Sequence, residues 1–319
     1  MKRIALVAAL AVAYAAPAFA QSNVTIYGRM NTSIERQKDG DQSAMWVMQN
    51  NNSRIGFRGT EDLGGGLKAL FLLEHGLNSD TGAATGAMWG RGSWVGLEGG
   101  FGTLRLGQFQ VSDYYYATAD YVSMHNHDTG TSADALWAGP VTWSGRMGNT
   151  ISYTTPTFSG FNAAVQFGLK ETPSGGDNAL SLAANYDMGP LHLGAGMEKL
   201  GDDKSFGIRA LYELGAFTFG GYYERADFDV LGKRNNFRLS GMYTMGASEF
   251  HLNAGVAGDW DNIDNSGAKQ FTVGYNYNLS KRTKLYAFYT KISADAAAVN
   301  PAGAQDDFSS FALGIRHNF

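Results

Sequence analysis

From residue 22 to the C-terminus, apolar and polar side chains alternate in segments of about ten residues, the period of a β-strand with one apolar and one polar face. The last nine residues, 311–319, follow this pattern and end on the aromatic Phe319. The alternation predicts 16 strands, at 22–35, 43–60, 67–79, 87–98, 102–110, 146–155, 161–171, 178–187, 191–199, 204–214, 216–226, 234–245, 248–259, 267–279, 283–293 and 308–319. An even strand count suits a closed barrel whose two chain ends lie on the same side.

The connectors between these strands alternate between short and long. The short ones are rich in Gly, Pro and Asp, as tight turns require, and lie at 62–66, 99–101, 156–160, 188–190, 215 and 245–247. The longer ones are polar and lie at 36–42, 80–86, 111–145, 171–178, 199–204, 226–234, 260–267 and 293–308. Short turns at one rim and long loops at the other favour a membrane barrel over a two-sheet sandwich, which has no comparable reason to keep one rim short.

The facing of the strands can be assigned, although the sequence does not say which face is outside. Phe217, Phe219 and Tyr223 alternate with Thr218 and Glu224. Sixteen strands enclose a lumen too wide for side chains to fill, so polar inward faces imply water inside and apolar faces toward lipid. Aromatic side chains near strand ends are candidates for the girdles at the lipid interfaces: Tyr223, Tyr275, Tyr277, Tyr289 and Phe319.

Residues 1–20 have the three parts of an export signal. Lys2 and Arg3 form the charged start, an apolar stretch follows, and small residues precede a cleavage site between Ala20 and Gln21. A stretch of 13 apolar residues would rise only about 20 Å as a helix, short of a hydrocarbon core of about 30 Å. The sequence therefore predicts a mature chain of 21–319, exported across the inner membrane.

Composition narrows the classes of function. Glycine is abundant, with 42 residues, proline is scarce, with 6, and cysteine is absent, which excludes a disulfide framework and a thiolate metal site. Without Lys2 and Arg3, 23 of the 25 basic residues remain against 29 acidic ones, a mature net charge of −6. Nucleic-acid binding calls for the opposite balance, so no nucleic-acid partner is expected. No apolar run after Ala20 is long enough for a transmembrane helix, so a membrane would be crossed by strands.

Several segments carry a resemblance to a known family: 22–28 (SNVTIYG), 53–69 (SRIGFRGTEDLGGGLKA), 90–91 (GR) leading to 95–97 (VGL), 101–107 (FGTLRLG) and the terminal Phe319. Across its mature length the chain resembles the general porins of Gram-negative bacteria, in particular their neisserial and betaproteobacterial branch. The 53–69 block is the most specific of these matches. The resemblance implies an all-β, 16-stranded antiparallel transmembrane barrel with short periplasmic turns and long extracellular loops.

The same resemblance implies a function and partners. It implies a homotrimer in the bacterial outer membrane in which each barrel is a water-filled channel for passive diffusion of ions and small hydrophilic solutes. Expected contacts are outer-membrane lipid, lipopolysaccharide and the barrel-assembly machinery, which would recognise Phe319. No cofactor or enzymatic activity is expected. Alternatives are a substrate-specific channel of the same fold, a secreted soluble β-protein, and a barrel-embedded lipid hydrolase using His192 or His251, although neither histidine has a marked nucleophile nearby.

The longest connector, 111–145, far exceeds what a hairpin needs, which indicates a functional or inserted loop. By resemblance it is the loop that folds inward and narrows the channel, although the family's usual tip signature is absent and residues 136–140 (LWAGP) stand in its place. The connector contains four aspartates and no Lys or Arg: Asp113, Asp120, Asp128 and Asp134. Its 125–128 segment (HNHD) could in principle bind a metal, but neither its spacing nor cysteine supports a site, so none is expected.

By the same resemblance, arginines on the barrel wall face this acidic loop across the constriction. Their counterparts here are Arg54, Arg91 and Arg146, with Arg29, Arg58 and Arg105 as secondary candidates. Strand alternation supports Arg54 and Arg58, which lie opposite the face of Ile55 and Phe57. Strict alternation would instead place Arg91 on the apolar face of Val95 and Leu97 unless a bulge lies near Gly92. Facing rows of opposite charge would create a transverse field, with anions favoured by the constriction arginines.

Overall fold

A computed structural model describes residues 23–120, 130–141, 147–172, 176–296 and 307–319. Several predicted features lie outside these residues: the export signal 1–20 with its Ala20 and Gln21 cleavage site, the 125–128 segment, Asp128 and Arg146.

One antiparallel sheet contains all the described strands. They are β1 (Asn23–Asp39), β2 (Met45–Asn50), β3 (Arg54–Gly64), β4 (Leu67–Leu77), β5 (Ala84–Thr85), β6 (Gly92–Gly99), β7 (Gly102–Phe109), β8 (Met147–Thr154), β9 (Phe161–Gly168), β10 (Ala179–Met188), β11 (Leu191–Leu200), β12 (Asp203–Leu214), β13 (Phe217–Phe228), β14 (Gly232–Met245), β15 (Ser248–Ala257), β16 (Ala268–Asn278), β17 (Thr283–Ala294) and β18 (Phe308–Asn318). Consecutive strands pair with each other except at β2 and β3, which both pair with β1, and at β5 and β6, which both pair with β4.

The sheet closes into a barrel because β1 pairs with β18 from Arg29↔Asn318 to Asp39↔Phe308. Two of the barrel strands are interrupted. The first half of β1 pairs with β3 and its second half with β2, and β4 pairs with both β5 and β6. Counting each interrupted pair as one strand, the 18 segments form the 16-stranded antiparallel barrel that the alternation predicts.

The apolar faces of the strands point outward. Phe217 and Phe219 point outward and are 44% and 49% exposed. Tyr222 and Glu224 on the same strand point into the barrel and are 2% and 0% exposed. A closed barrel satisfies its backbone hydrogen bonds between strands, so an apolar exterior of this kind suits a hydrocarbon solvent. Among the described residues, no helix is long and apolar enough to cross a membrane.

Strand positions agree with the sequence pattern apart from four local differences. The strand predicted at 43–60 is broken at residues 51–53, and Asn52 there has φ +57°. The strand predicted at 87–98 begins only at Gly92, after a turn in which Trp89 has φ +60°. Two connectors predicted among the longer ones, at 199–204 and 226–234, are short turns: one between Leu200 and Asp203, with Gly201 at φ +61°, and one between Phe228 and Gly232. Glycine tolerates that backbone conformation without strain.

Candidate functional site

The described parts of the long connector after β7, residues 111–120 and 130–141, fold into the barrel interior. They include a single helical turn, α1 (Asp113–Tyr115), followed by a π-helical turn (Tyr116–Asp120), and a 3-10 turn (Gly130–Ser132). Ser112 caps α1, its hydroxyl accepting a hydrogen bond from the Tyr115 N–H. We call residues 111–120 and 130–141 the docked loop, because they lie against the inner wall along β9–β18 and reach β1.

Two fully buried carboxylates of the wall hold the backbone of the docked loop. Glu198 on β11 accepts hydrogen bonds from the Ser112 hydroxyl and the Val141 N–H. Glu224 on β13 accepts from the Ala138 N–H at 3.0 Å and from the Tyr114 hydroxyl at 3.4 Å. Removing either acceptor would leave buried donors of the docked loop unpaired, which costs more free energy than the bond itself contributes. The wall therefore fixes where both ends of the docked loop lie.

A buried ion pair fixes the middle of the docked loop. Asp134 accepts a hydrogen bond from Arg238 of β14 at 2.8 Å and from the Tyr222 hydroxyl of β13 at 2.5 Å. The Arg238 and Asp134 side chains are 1% and 5% exposed. Trp137 packs edge-on against Tyr222, with ring centroids 5.3 Å apart. The negative charge of Asp134 is thus compensated at the wall rather than presented to the lumen.

Glycines on the inward face of the wall give the docked loop room. A Cβ at Gly194 would overlap the carbonyl oxygen of Ala117, and one at Gly207 would lie 3.1 Å from the Tyr114 hydroxyl and 3.3 Å from Thr118. Tyr114 is completely buried as a result, and burial together with the nearby Glu224 raises its pKa well above the usual value. The sequence analysis did not identify these glycines, although strand alternation places both of them on the inward faces of β11 and β12.

From β17 through β18, β1 and β3 to the β6–β7 region, the inner wall carries basic side chains. Arg29 on β1 and Arg54 on β3 are direct cross-strand partners, and Arg58 lies opposite Thr25 on the same inward face. Lys284 on β17 and Arg316 on β18 are cross-strand partners in the same way. We call the following set the basic arc: Arg29, Arg54, Arg58, Arg91, Arg105, Lys284 and Arg316. It spans β17, β18, β1, β3 and the β6–β7 region.

The side chain of Arg91 reaches the interior although strict alternation points it outward. Arg91 lies in the turn before β6 rather than within the strand, so alternation does not apply to it. Its Nε donates to Glu74 at 2.7 Å, its Nη1 donates to Asn52 at 3.2 Å, and its side chain is 4% exposed. Glu74 also accepts from the Tyr27 hydroxyl at 2.9 Å and lies 3.9 Å from Arg54. The Glu74 carboxylate therefore compensates the charge of Arg91, and this buried pair is a structural part of the basic arc.

At the other end of the arc, Arg105 meets the docked loop. Its guanidinium carbon lies 5.5 Å from the centre of the Trp94 ring and 5.1 Å from that of Phe109, and its Nη2 lies 3.8 Å from an Asp113 carboxylate oxygen. Burial raises the pKa of Asp113, and the nearby Arg105 lowers it to a smaller extent, so the net shift is upward. Asp113, one of the aspartates predicted for the constriction, thus lies beside Arg105, one of the arginines predicted for it.

The other predicted residues divide as follows. Arg29, Arg54 and Arg58 share one face of the lumen with Lys284 and Arg316, which the sequence analysis missed. Arg316 was readable because it alternates with the outward Leu313 and Ile315, whereas Lys284 shares its inward face with Tyr286 and Phe288, which hides the polar pattern. Asp120 is the last residue of the π-helical turn.

The strand histidines His192 and His251 contact carboxylate and amide side chains. His192 Nδ1 lies 2.7 Å from Asp187 and its Nε2 3.7 Å from Glu213, and His251 contacts Asn276 and Glu249. These contacts supply carboxylates and amides rather than a nucleophile. A hydrolytic triad requires all three roles together, so the contacts do not favour the lipid-hydrolase alternative.

Comparison with known proteins decides the family. A family model described as Gram-negative porin matches residues 5–297. The chain belongs to the Gram-negative porin family. It is 33% identical over 356 aligned positions to outer membrane porin protein 32 of Delftia acidovorans, covering 98% of this chain and 99% of that protein. It is also 28% identical over 323 positions to the major outer membrane protein P.IB of Neisseria gonorrhoeae, covering 84% and 88% of the two chains.

A solved structure agrees with this assignment. An anion-selective porin from Comamonas acidovorans is 31% identical, has a TM-score of 0.75, and is matched over 93% of this chain and 100% of its own length. The predicted branch, fold and location are thereby confirmed: this porin is an outer-membrane β-barrel channel for passive diffusion of ions and small hydrophilic solutes. The family consists of channels rather than enzymes.

Proposed function

We propose that this porin conducts small anions in preference to cations, through a passage bordered by the basic arc on one side and the docked loop on the other. The single observation that carries the proposal is the compensation of Asp134 by Arg238 at the buried wall. That pair removes one loop carboxylate from the field of the passage, while Arg29, Arg54 and Arg58 face it. Guanidiniums remain charged throughout the physiological pH range.

Local charge outweighs net charge in this proposal. The mature net charge of −6 would favour cations if all charges acted equally. The Debye length is about 8 Å at physiological salt, so carboxylates on distant loops are screened, whereas charges bordering the passage are not. The solved relative from Comamonas acidovorans is anion-selective, which supports the same preference here.

Reversal potentials of single channels in a tenfold salt gradient test this proposal. We expect the potential to have the sign of anion preference, and to grow as the mean salt concentration falls. A reversal potential with the sign of cation preference at low salt would overturn it. A conductance that saturates at millimolar concentrations of one solute class would instead support a substrate-specific channel.

The remaining expectations concern processing and assembly. We propose that residues 1–20 are removed at Ala20–Gln21, that the long-loop rim faces the cell exterior, and that the chain forms a homotrimer in contact with lipopolysaccharide after insertion by the barrel-assembly machinery. Mass spectrometry of the mature N-terminus and light scattering of the detergent-extracted protein check the cleavage site and the trimer.

A further inference from the structure

The inward faces of β4 and β6 carry apolar side chains where a water-filled lumen calls for polar ones. Leu72 on β4 pairs with Arg58 of β3 on one side and with Trp94 of β6 on the other. Direct cross-strand partners share one face of a sheet, so Leu72 and Trp94 face the lumen as Arg58 does. Leu70 lies two residues before Leu72 and shares its face. We call Leu70, Leu72 and Trp94 the apolar strip.

The apolar strip is partly open to the lumen. Its three side chains are partly exposed, and the inward neighbours of Trp94 along β6 are Gly92 and Gly96, which have no side chains to cover the indole. Isolated exposed apolar side chains are common on proteins, but a contiguous set marks a surface that contacts apolar groups. A solute with an apolar body displaces water from this strip, which favours its binding.

Positive charge borders the apolar strip on both sides. Arg58 is exposed, its guanidinium carbon lies 5.0 Å from the centre of the Tyr27 ring, and it forms no ion pair with any residue that the structure describes. On the other side Arg105 lies 5.5 Å from the centre of the Trp94 ring, but Asp113 at 3.8 Å offsets part of its charge. Arg58 therefore presents the less compensated charge to an anion.

The spacing of these groups fits a molecule with one charged end and an apolar body. Arg58, Leu72 and Trp94 stand side by side on three neighbouring strands, which lie about 4.8 Å apart. A carboxylate at Arg58 therefore has about 10 Å of apolar wall beside it, over Leu72 and toward the indole. Guanidinium groups bind carboxylates through two parallel hydrogen bonds, and aromatic rings pack favourably against an indole. Acetate reaches only the charge, whereas benzoate reaches the charge and the apolar wall.

We propose that Arg58, Leu72 and Trp94 form a binding site for small aromatic monocarboxylates within the lumen. The carboxylate contacts the Arg58 guanidinium, and the ring lies over Leu72 against the Trp94 indole. This inference rests on the proposed anion preference and deepens it, because it names the class of anion for which the wall of the passage has affinity.

Block of the chloride current through single channels tests the site at neutral pH. Three probes are added in turn: benzoate, acetate as the anion without a ring, and benzamide as the ring without a charge. The variants are Leu72→Asn, which makes the strip polar, Leu72→Met, which keeps it apolar, and Arg58→Gln, which removes the charge. Arg36→Gln is the matched control for Arg58→Gln, because Arg36 lies on the outward face of β1.

The expected effects follow from the apolar area that the ring covers. Each buried methylene contributes about fourfold in affinity, and a ring face on the strip covers the area of roughly two, so benzoate should half-block the current at a concentration about 15-fold lower than acetate. Leu72→Asn should remove most of that difference without altering block by acetate, and Leu72→Met should retain it. Arg58→Gln should weaken block by both anions, and Arg36→Gln should change neither.

Equal block by benzoate and acetate in the unmodified porin would overturn the proposal, as would equal block by benzamide and benzoate. A preference for benzoate that survives Leu72→Asn would show that the ring binds elsewhere, and would also overturn it. Reversal potentials in a chloride gradient without carboxylates separate this inference from the proposed function. Anion preference without a preference for benzoate overturns only the site, whereas cation preference overturns the proposed function on which the site rests.

Discussion

Replacing Arg29 and Arg54 together with glutamine should shift the channel's selectivity toward cations. Both side chains face the lumen on neighbouring strands, and they are cross-strand partners. An ion passing about 6 Å from one guanidinium in a water-like medium changes in energy by about 0.7 kcal/mol. Screening at 0.1 M salt, where the Debye length is about 10 Å, reduces this to about 0.4 kcal/mol.

The effect has opposite sign for anions and cations, so the two charges together alter the relative energy of the two ions by about 1.6 kcal/mol. This corresponds to about a 15-fold change in the permeability ratio, and to about 50-fold at 0.01 M salt, where the Debye length is about 30 Å. Glu74 lies 3.9 Å from Arg54 but binds Arg91 more closely, at 2.7 Å, so it offsets only part of the Arg54 charge.

The assay is the reversal potential in planar bilayers, measured at two mean salt concentrations. Arg36→Gln is the matched control, because Arg36 is on β1 with Arg29 but on the outward face, opposite Phe311 and Trp46. Arg36→Gln should leave the potential unchanged. An unchanged potential in the double variant at both salt concentrations, with folded barrels recovered in normal amounts, would show that these arginines do not border the narrowest section.

Three further predictions concern assembly, the docked loop and pH. Deleting Phe319 should lower the yield of folded barrels more than it alters conductance, because its backbone exchanges hydrogen bonds with Gly28 at 3.0 and 3.1 Å where the barrel closes. Heat-modifiable gel mobility measures the yield, and normal assembly with abnormal conductance would contradict this role of Phe319. Arg238→Met should lower the free energy of unfolding by roughly 3 kcal/mol, since it leaves Asp134 buried without its cation. Adding Asp134→Asn to the same chain should recover much of that loss in denaturant unfolding, and no recovery would show that the two residues do not act as a pair. Acidification should strengthen anion preference, because the raised pKa of Asp113 lets this carboxyl become neutral at a higher pH than an ordinary aspartate while Arg105 stays charged. Reversal potentials between neutral pH and about pH 4 measure this shift, and Asp113→Asn should lack the part of the shift that occurs at the higher pH values.

The sequence by itself determined the strands, their facing and the family. Alternation is a local property: each side chain's face follows from its neighbours along the strand, so Phe217 and Glu224 could be assigned to opposite faces without knowing which strands pair. The inward facing of Arg54 and Arg58 followed from the same rule. It failed for Arg91 because this residue lies in a turn, where period-2 geometry does not hold.

Only the tertiary structure decided the path of the docked loop and the state of its charges. Asp134 and Arg238 are 104 residues apart in the chain, and Tyr114 and Glu224 are 110 apart. No local pattern encodes such pairings, because they depend on which part of a closed wall the loop meets. An aspartate that the sequence placed at the constriction is therefore buried against an arginine that the sequence did not single out.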